Sequence, residues 1–388
     1  MMSRAIEASA RSYASLDPSA RAPAPDLARG VMLLAIAFAH APLFVTKVGL
    51  GPAVLNEIAE FFHVLFVSNH ARPMFAFLFG YALVQLLNRQ TGRGADWVTA
   101  RKLLRRRGWW LAAIGFAHMV LLVPIDILAV YGVAGVLVAG MLRAKDSTLL
   151  WVAGLSLVPA TLMVGAAMWF PMSRDVSTYA AGSVAAGTRG PVELLLDRLQ
   201  AWPFGLVAGV IMVVPGVLFG IWAARRQILE EPARHRTFLI RTAVIMTTLS
   251  VAGSLPVALI QADMWADPSA GALWAAAIAQ PLTGYFGGIA MAGIVALLTP
   301  WATRRNNRLT TALQAMGQRS MSLYLLQSVV FIALFYPYGL GLEDDLGLAV
   351  ATGVAIATWL LSLVIADLMR RAGYRGPAEI LLRRLTYR

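Results

Sequence analysis

Two ionisable residues frame one apolar stretch near the start of the chain, with a spacing that could support chemistry. Arg29 precedes ten residues without an ionisable side chain, and His40 follows them. Eleven helical steps of about 100° return to within roughly 20° of the starting direction, so both side chains share one face, about 16 Å apart along the axis. Asp26 lies one turn before Arg29, where it can pair with it and cap the helix. His40 could therefore be a general base near an anion-binding arginine, or a packing residue near a purely topological one.

A second histidine, His118, is followed after a short predicted turn by Asp126. Asp126 could fix the tautomer of His118, which would make His118 a base. Alternatively, Asp126 could cap the helix that follows, while His118 bonds a neighbouring carbonyl. The spacing of the two residues is compatible with both alternatives.

The segment 53–72 is dense in polar residues. Glu57, Glu60 and His63 recur at helical spacing and predict a polar stripe opposite several aromatic and aliphatic residues. An amphipathic helix at the outer surface is the simplest interpretation, because such a helix combines a polar and an apolar face. The part 53–71 could instead be re-entrant or belong to the second span.

The same segment has a functional alternative. His70 and Arg72 could turn inward beside His40 and bind substrate. Glu60, His63 and His70 have the ligand types of a metal site but no recognised spacing, so no metal is expected.

One face of a predicted helix in the last quarter of the chain is unusually polar. Steps of three and four residues bring together Ser320, Tyr324, Gln327, Ser328 and Phe331. Such a face would be wasted against lipid, so we expect it to line a central cavity in which Tyr324 and Gln327 contact substrate. Hydrogen bonding between packed helices explains the pattern nearly as well.

The elements that must position these residues are helices that cross a membrane. Hydrophobic residues make up 59% of the 388, and charged residues 14%, against roughly 45–50% and about 25% in soluble domains. A span needs roughly 20 mostly apolar residues, and irregular backbone facing lipid would leave amides unpaired. Ten runs qualify: 27–46, 73–88, 108–123, 127–142, 148–171, 202–223, 240–260, 272–300, 320–340 and 346–369. The sequence predicts an all-α, polytopic integral membrane protein with about ten transmembrane helices.

The net charge of +13 is explained by topology. With the N-terminus inside, 28 of the 33 lysines and arginines fall on inner connections and 5 on outer ones. This bias predicts that both termini are cytoplasmic. Because the charges stand at helix ends rather than on one face, the lipid bilayer is the expected partner and nucleic acid is not.

The predicted organisation is a single transmembrane domain, 26–370, between a polar cytoplasmic tail, 1–25, and a C-terminal cytoplasmic tail, 371–388. The first tail lacks the apolar core of a signal peptide. Within the domain, the outer loop 172–201 is too polar to span and could be a mobile lid or a linker. The chain has no cysteine, which excludes disulfides, thiolate metal sites and cysteine nucleophiles.

The first helix resembles that of the integral-membrane acyltransferases that decorate surface sugars, whose signature is an arginine and a histidine separated by ten residues. The chain as a whole is similar to the YeiB-like family of polytopic membrane proteins, which is usually grouped with those acyltransferases. The residues that carry this resemblance extend from about 21 to 387. They are Phe75-Ala76-Phe77-Leu78-Phe79-Gly80, Arg105-Arg106-Arg107, His118 with Asp126 and Tyr131, the segments 320–328 and 335–342, and Gly376-Pro377-Ala378-Glu379.

The resemblance implies transfer of an acyl group from a cytoplasmic donor of the acyl-CoA type to an extracytoplasmic or lipid-linked acceptor. His40 would be the base, and His118 and Asp126 its auxiliaries. Arg29, Arg105 and Arg106 would bind the donor phosphates, because guanidinium groups match phosphate oxygens in pairs. Acyl-CoA would then be a co-substrate rather than a permanently bound cofactor, and the protein would lie in the inner cell membrane.

Two other classes of function fit the same residues. In a transporter or exporter of a small anionic or amphipathic compound, intramembrane histidine, aspartate and arginine would be binding or proton-relay groups. A non-catalytic membrane partner is the third alternative. Many YeiB-like members carry asparagine at the position of His40, so this histidine is not a general property of the family.

Overall fold

The computed structural model describes residues 22–174, 176, 178, 184, 191–305 and 307–387. Throughout these ranges the secondary structure is helical and contains no strand, which confirms the all-α prediction. The helices in chain order are α1 (Pro23–His40), α2 (Ala53–Phe66), α3 (Ala71–Thr91), α4 (Trp97–Leu121), α5 (Leu128–Val138), α6 (Asp146–Met172), α7 (Pro191–Arg225), α8 (Arg236–Gln261), α9 (Ala270–Arg304), α10 (Arg308–Gln318), α11 (Ser320–Phe335), α12 (Leu348–Arg371) and α13 (Pro377–Tyr387).

Local sequence explains where several of these helices begin. Asp96, Ser269 and Asn307 each precede a helix, and each side chain accepts a hydrogen bond from the amide three residues later, at 3.1, 3.3 and 2.8 Å. These bonds satisfy one of the amides that a helix N-terminus leaves unpaired. Pro23, the first residue of α1, serves the same end, because proline has no amide hydrogen to satisfy.

A helix stands at each of the ten apolar runs, but the helices differ in how well they could cross a membrane alone. Among the residues described, six are long and apolar enough: α1 with its 3-10 extension, α6, α7, α8, α9 and α12. α10 and α11 together form a seventh candidate, bent by 87° between them. The multi-pass membrane character is thus confirmed, while the number ten and the cytoplasmic termini stay predictions.

The helices at the other three apolar runs, α3, α4 and α5, do not qualify as membrane spans by themselves. α3 and α4 carry more polar residues, and α5 is short. α3 is enclosed by other helices, among them α7, α9 and α1. Where α3 crosses α7, a Cβ on Gly80 would lie 2.0 Å from the carbonyl oxygen of Val217. A Cβ on Gly220 would lie equally close to the carbonyl oxygen of Phe77. Small residues here let two backbones touch, as is typical of membrane helix pairs.

Gly80→Ala should therefore destabilise the fold. The added methyl group cannot fit against backbone, so the helices must separate, at a cost of about 1–3 kcal/mol. Gly353→Ala in α12 is the matched control, because nothing lies within 4 Å of its Cβ position, and the better helix propensity of alanine should leave stability equal or higher. Thermal unfolding of both variants in detergent measures the difference. Equal unfolding temperatures would contradict the close crossing.

α2 differs from the predicted amphipathic helix in the direction of its faces. His63 is fully buried and bonds Thr352 in α12 at 3.1 Å. Glu57 is exposed, so the predicted stripe of Glu57, Glu60 and His63 does not share one environment. Val54 and Ile58 are exposed instead. In a lipid environment the apolar side chains can face outward, and polar groups find their partners between helices. α2 is also separate from α3, since a turn at 67–70 divides them.

Two of the predicted peripheral segments contain helix. α7 begins at Pro191, so the last part of the predicted loop 172–201 is helical. Most of 173–190 lies outside the described residues, and so does the tail 1–21. The predicted C-terminal tail forms α13, which packs against α4 and α11.

Candidate functional site

A large cavity occupies the end of the helix bundle at which α1 and α4 carry Arg29 and Arg107, which we call the arginine-rich end. Its volume is about 1870 Å³, larger than the roughly 300–1,000 Å³ of ordinary ligand pockets. α1, α3, α4, α10, α11 and α13 contribute to its walls. It therefore has room for a ligand larger than a typical small metabolite.

The charge of this cavity is strongly positive. The ionisable residues that line it include nine arginines and two carboxylates: Arg29, Arg89, Arg93, Arg107, Arg319, Arg370, Arg375, Arg383 and Arg384, with Asp26 and Glu379. Charge of one sign inside a concave, low-dielectric wall raises the local concentration of counter-ions. The cavity is suited to an anionic ligand.

Arg29 and Arg107 differ in how they are satisfied. Arg29 donates to Asp26 at 3.0 Å, as the sequence predicted. Arg107 is half-buried in the cavity wall and makes no hydrogen bond or ion pair with any residue in the described ranges. A guanidinium without a partner binds phosphate or carboxylate oxygens well, since no existing bond must be broken.

The structure does not bring the predicted donor-binding residues Arg105 and Arg106 into the cavity. Both are exposed and absent from its lining. They precede Arg107 by two and one residues, which rotates them by about 200° and 100° around α4. Of the three consecutive arginines, the orientation of α4 therefore places only Arg107 in the cavity wall.

α13 closes one side of the cavity. Glu379 accepts hydrogen bonds from the amides of Met321 and Ser322 at 2.8 and 3.1 Å, and so caps the start of α11. Tyr387 near the other end of α13 accepts a hydrogen bond from Gln90 at 3.0 Å. The C-terminal segment therefore forms part of the wall and fixes the bend before α11.

Two tyrosines of the cavity lining, Tyr131 and Tyr324, are held by backbone carbonyls. The Tyr324 hydroxyl donates to the carbonyl oxygen of Ile125 at 3.1 Å, and the Tyr131 hydroxyl to that of Arg72, also at 3.1 Å. The Tyr324 ring has its centroid 5.2 Å from that of His118 and 6.1 Å from that of His40. Tyr324 thus lines the cavity and lies next to two histidines that are not part of its lining.

His118 and Asp126 form the predicted pair. His118 Nδ1 lies 2.9 Å from Asp126 Oδ1, and His118 Nε2 lies 2.9 Å from Ser328 Oγ. Asp126 also accepts hydrogen bonds from the first amides of α5, at 3.1 and 2.6 Å. Asp126 therefore orients His118 and caps the next helix at the same time. Nothing in the sequence marked Ser328 as the partner of His118, beyond its position one turn after Tyr324.

His40 completes this group. It is partly exposed at the end of α1 and interacts electrostatically with His118 and Asp126. The pair Arg107 and His118 repeats the spacing of Arg29 and His40, because both pairs are eleven positions apart on a helix. α1 and α4 therefore each place an arginine at the cavity wall and a histidine about 16 Å further along the helix axis. The second pair was not singled out in the sequence.

His70 and Arg72 do not lie beside His40 and do not line the cavity. His70 is buried, with Nδ1 at 2.6 Å from the carbonyl oxygen of Ser68 and Nε2 at 2.6 Å from Ser250 Oγ. Arg72 donates to Asn69 Oδ1 at 2.7 Å. His70 and Arg72 thus belong to a polar cluster between α3, α8 and α9. The hydrogen bond from the Tyr131 hydroxyl to the Arg72 carbonyl connects this cluster to the cavity lining.

Gln327, the other predicted substrate residue, is buried and donates to the carbonyl oxygen of Leu33 at 3.2 Å. This bond joins α11 to α1, so the contact of Gln327 is a hydrogen bond between packed helices, the alternative to substrate contact. Among the residues that the structure describes, no three histidine, aspartate or glutamate side chains come together as ligands for a metal ion.

The comparisons with known proteins cover different shares of the chain. A family model described as "Protein of unknown function (DUF418)" matches residues 223–388. The chain is 24% identical over 341 residues to "Uncharacterized protein YxaH" of Bacillus subtilis (strain 168), covering 83% of this chain and 80% of the relative. It is 26% identical over 340 residues to "Uncharacterized protein YeiB" of Escherichia coli (strain K12), covering 81% of each. The chain is therefore similar over most of its length to these two uncharacterised proteins, and its residues 223–388 match the DUF418 family.

Proposed function

We propose that the protein is an acyltransferase that accepts its acyl group from a thioester of the acyl-CoA type. The donor binds as a co-substrate in the cavity at the arginine-rich end. The acceptor is a hydroxyl or amine on an extracytoplasmic or lipid-linked molecule, and His40 is the base that activates it. The observation that carries this proposal is the position of Tyr324, which lines the arginine-rich cavity and has its ring centroid 6.1 Å from that of His40 and 5.2 Å from that of His118.

The charge of the cavity supports the nature of the donor. A coenzyme A thioester carries several phosphate charges, and Arg29 and Arg107 line the wall where such charges would be neutralised. From these arginines to the histidines is about 16 Å along either helix. A donor must therefore be long, with its charges at one end and its reacting carbon at the other, and an acyl-CoA has this form.

The histidines support the type of reaction. Acyl transfer to a hydroxyl needs a base to take the hydroxyl proton, and a positioned histidine typically contributes about 10²–10⁴-fold to such a step. His40 lies at the last residue of α1, next to Tyr324 and outside the cavity lining, and so we expect it to meet an acceptor that approaches from the opposite side. The charge bias of the loops supports placing that opposite side outside the inner cell membrane.

The test uses purified protein in nanodiscs with radiolabelled acetyl-CoA. We expect saturable binding of acetyl-CoA and continuous release of free coenzyme A in the parent. His40→Ala should bind acetyl-CoA normally but release coenzyme A at least about 100-fold more slowly, because the acceptor or water is no longer activated. His235→Ala, in the loop before α8, is the control and should behave as the parent. No binding and no turnover in the parent would end the proposal.

A transporter is the competing function, since the same arginine-lined cavity could hold an anionic solute. Vesicles that contain the protein distinguish the two. If an anionic solute crosses the vesicle membrane unmodified, and acetyl-CoA is neither bound nor cleaved, the histidines serve transport instead of acyl transfer.

A further inference from the structure

Ser328, His118 and Asp126 form one continuous hydrogen-bonded chain across three parts of the fold. Ser328 lies in α11, His118 near the end of α4 and Asp126 in the turn before α5. The two links measure 2.9 Å each, and Ser328 and His118 are only 3% and 4% exposed. A carboxylate can only accept a hydrogen bond, so His118 Nδ1 carries the hydrogen and Nε2 is left free to accept the Ser328 proton.

This order of groups activates a serine. A hydroxyl is a weak nucleophile at its ordinary pKa, and an adjacent imidazole that removes its proton makes it effective. The carboxylate holds the imidazole in the required tautomer and stabilises the cation that forms. Two backbone amides hold Asp126 in turn, at 3.1 and 2.6 Å, so the orienting group is itself fixed.

We infer that Ser328 is a nucleophile that receives the acyl group, activated by His118 and positioned by Asp126, so that transfer proceeds through an acyl-serine ester. This inference rests on the proposed acyl transfer for its donor, but the serine chemistry can be tested without that donor.

The two steps balance as follows. Ser328 Oγ attacks the thioester carbonyl carbon while its proton passes to His118 Nε2. The carbon–sulfur bond breaks, and the leaving sulfur takes that proton, which gives a free thiol and an ester on Ser328. In the second step the acceptor hydroxyl or amine attacks the ester carbon after His40 takes its proton. The ester bond to Ser328 breaks, and the proton given up by the acceptor ends on the Ser328 oxygen.

The route from the cavity to Ser328 passes Tyr324. Ser328 follows Tyr324 by one helical turn on the same face of α11, and its hydroxyl also approaches the Tyr324 carbonyl at 3.5 Å. The Tyr324 hydroxyl donates to the Ile125 carbonyl and also bonds the backbone of Ile127. The Tyr324 side chain must therefore move aside before a thioester in the cavity can reach Ser328.

The chain offers an internal comparison. Ser250 Oγ lies 2.6 Å from His70 Nε2, but His70 Nδ1 bonds the carbonyl oxygen of Ser68 at 2.6 Å and not a carboxylate. A neutral carbonyl stabilises an imidazolium less than a carboxylate does. Ser250 and His70 therefore form the serine–histidine hydrogen bond but have no carboxylate to orient the histidine. Ser250 should be unreactive.

The experiment treats the full-length protein in nanodiscs with a small alkyl fluorophosphonate and identifies the modified peptide by mass spectrometry. In this reaction the serine oxygen bonds phosphorus and fluoride leaves. We expect the label on Ser328, its loss in Ser328→Ala, and parent-like labelling in Ser250→Ala. Asp126→Asn should slow labelling by on the order of 10²–10⁴-fold. It should keep the unfolding temperature, because asparagine also caps helices. Asp126→Glu should restore part of the rate.

Each outcome has one meaning. No label on Ser328, or equal labelling of Ser250, overturns the inference. If coenzyme A release persists in Ser328→Ala at the parental rate, transfer is direct from donor to acceptor and the acyl-serine step is also overturned. If Ser328 is labelled but acetyl-CoA is not bound, the nucleophile stands and the proposed donor is wrong.

Discussion

Replacing His118 by glutamine should lower the rate constant for thioester cleavage by about 10²–10⁴-fold and leave the dissociation constant of the donor unchanged. Removal of a positioned general base has an effect of this size. His118 lies next to Tyr324 and does not line the cavity, so it does not contribute to donor binding. Pre-steady-state coenzyme A release and equilibrium binding of acetyl-CoA give the two quantities separately.

His70→Gln is the matched control for this variant. His70 is as buried as His118 and bonds a serine hydroxyl through Nε2 in the same way. Its loss should lower the unfolding temperature but not the rate constant of thioester cleavage. If both variants slow cleavage equally, the effect comes from packing and His118 is not the base.

The second large effect is expected at Arg107. Arg107→Gln should weaken binding of coenzyme A by roughly 10–100-fold, because a charge-assisted hydrogen bond is worth about 1.5–3 kcal/mol and each 1.4 kcal/mol is a factor of ten. Within the described part of the chain the guanidinium makes no hydrogen bond or ion pair and only interacts electrostatically with Glu379 and Tyr387, so it is available to the ligand. Isothermal titration of the detergent-solubilised protein with coenzyme A measures the change.

Arg105→Gln is the control for Arg107→Gln. It removes the same charge from the same helix at a position outside the cavity. Its binding constant should stay within about twofold of the parent, since exposed charges are screened by salt over about 10 Å. Equal losses at Arg105 and Arg107 would mean that binding depends on net charge and not on the cavity wall.

Local relationships were predictable from the sequence. Asp26 and Arg29 are one helical turn apart, and their ion pair forms. His118 and Asp126 are separated only by a short turn, and their hydrogen bond forms. In both cases few backbone angles lie between the two side chains, so secondary structure alone brings them together.

The rotation of each helix about its own axis was less predictable. The run Arg105-Arg106-Arg107 is uniformly basic, and nothing in its composition says which arginine faces inward. The close contact of α4 with α5 decides this, because a Cβ on Gly108 would lie 2.7 Å from the Gly132 carbonyl oxygen. The same applies to α2, where the buried face became visible only through the bonds of His63 and Asn56 to α12.

The sequence by itself determined that the protein is all-helical and membrane-embedded, because hydrophobic length and charge bias follow directly from composition along the chain. It also determined the arginine–histidine spacing of α1, since a helix has a fixed period. Only the tertiary structure decided that Arg107 faces the cavity, that Tyr324 of the cavity lining lies next to the two histidines, and that Ser328 completes a chain with His118 and Asp126. Ser328 lies 210 positions after His118. Contacts at that separation depend on how helices pack against one another, and packing is set by side-chain shape across the whole bundle.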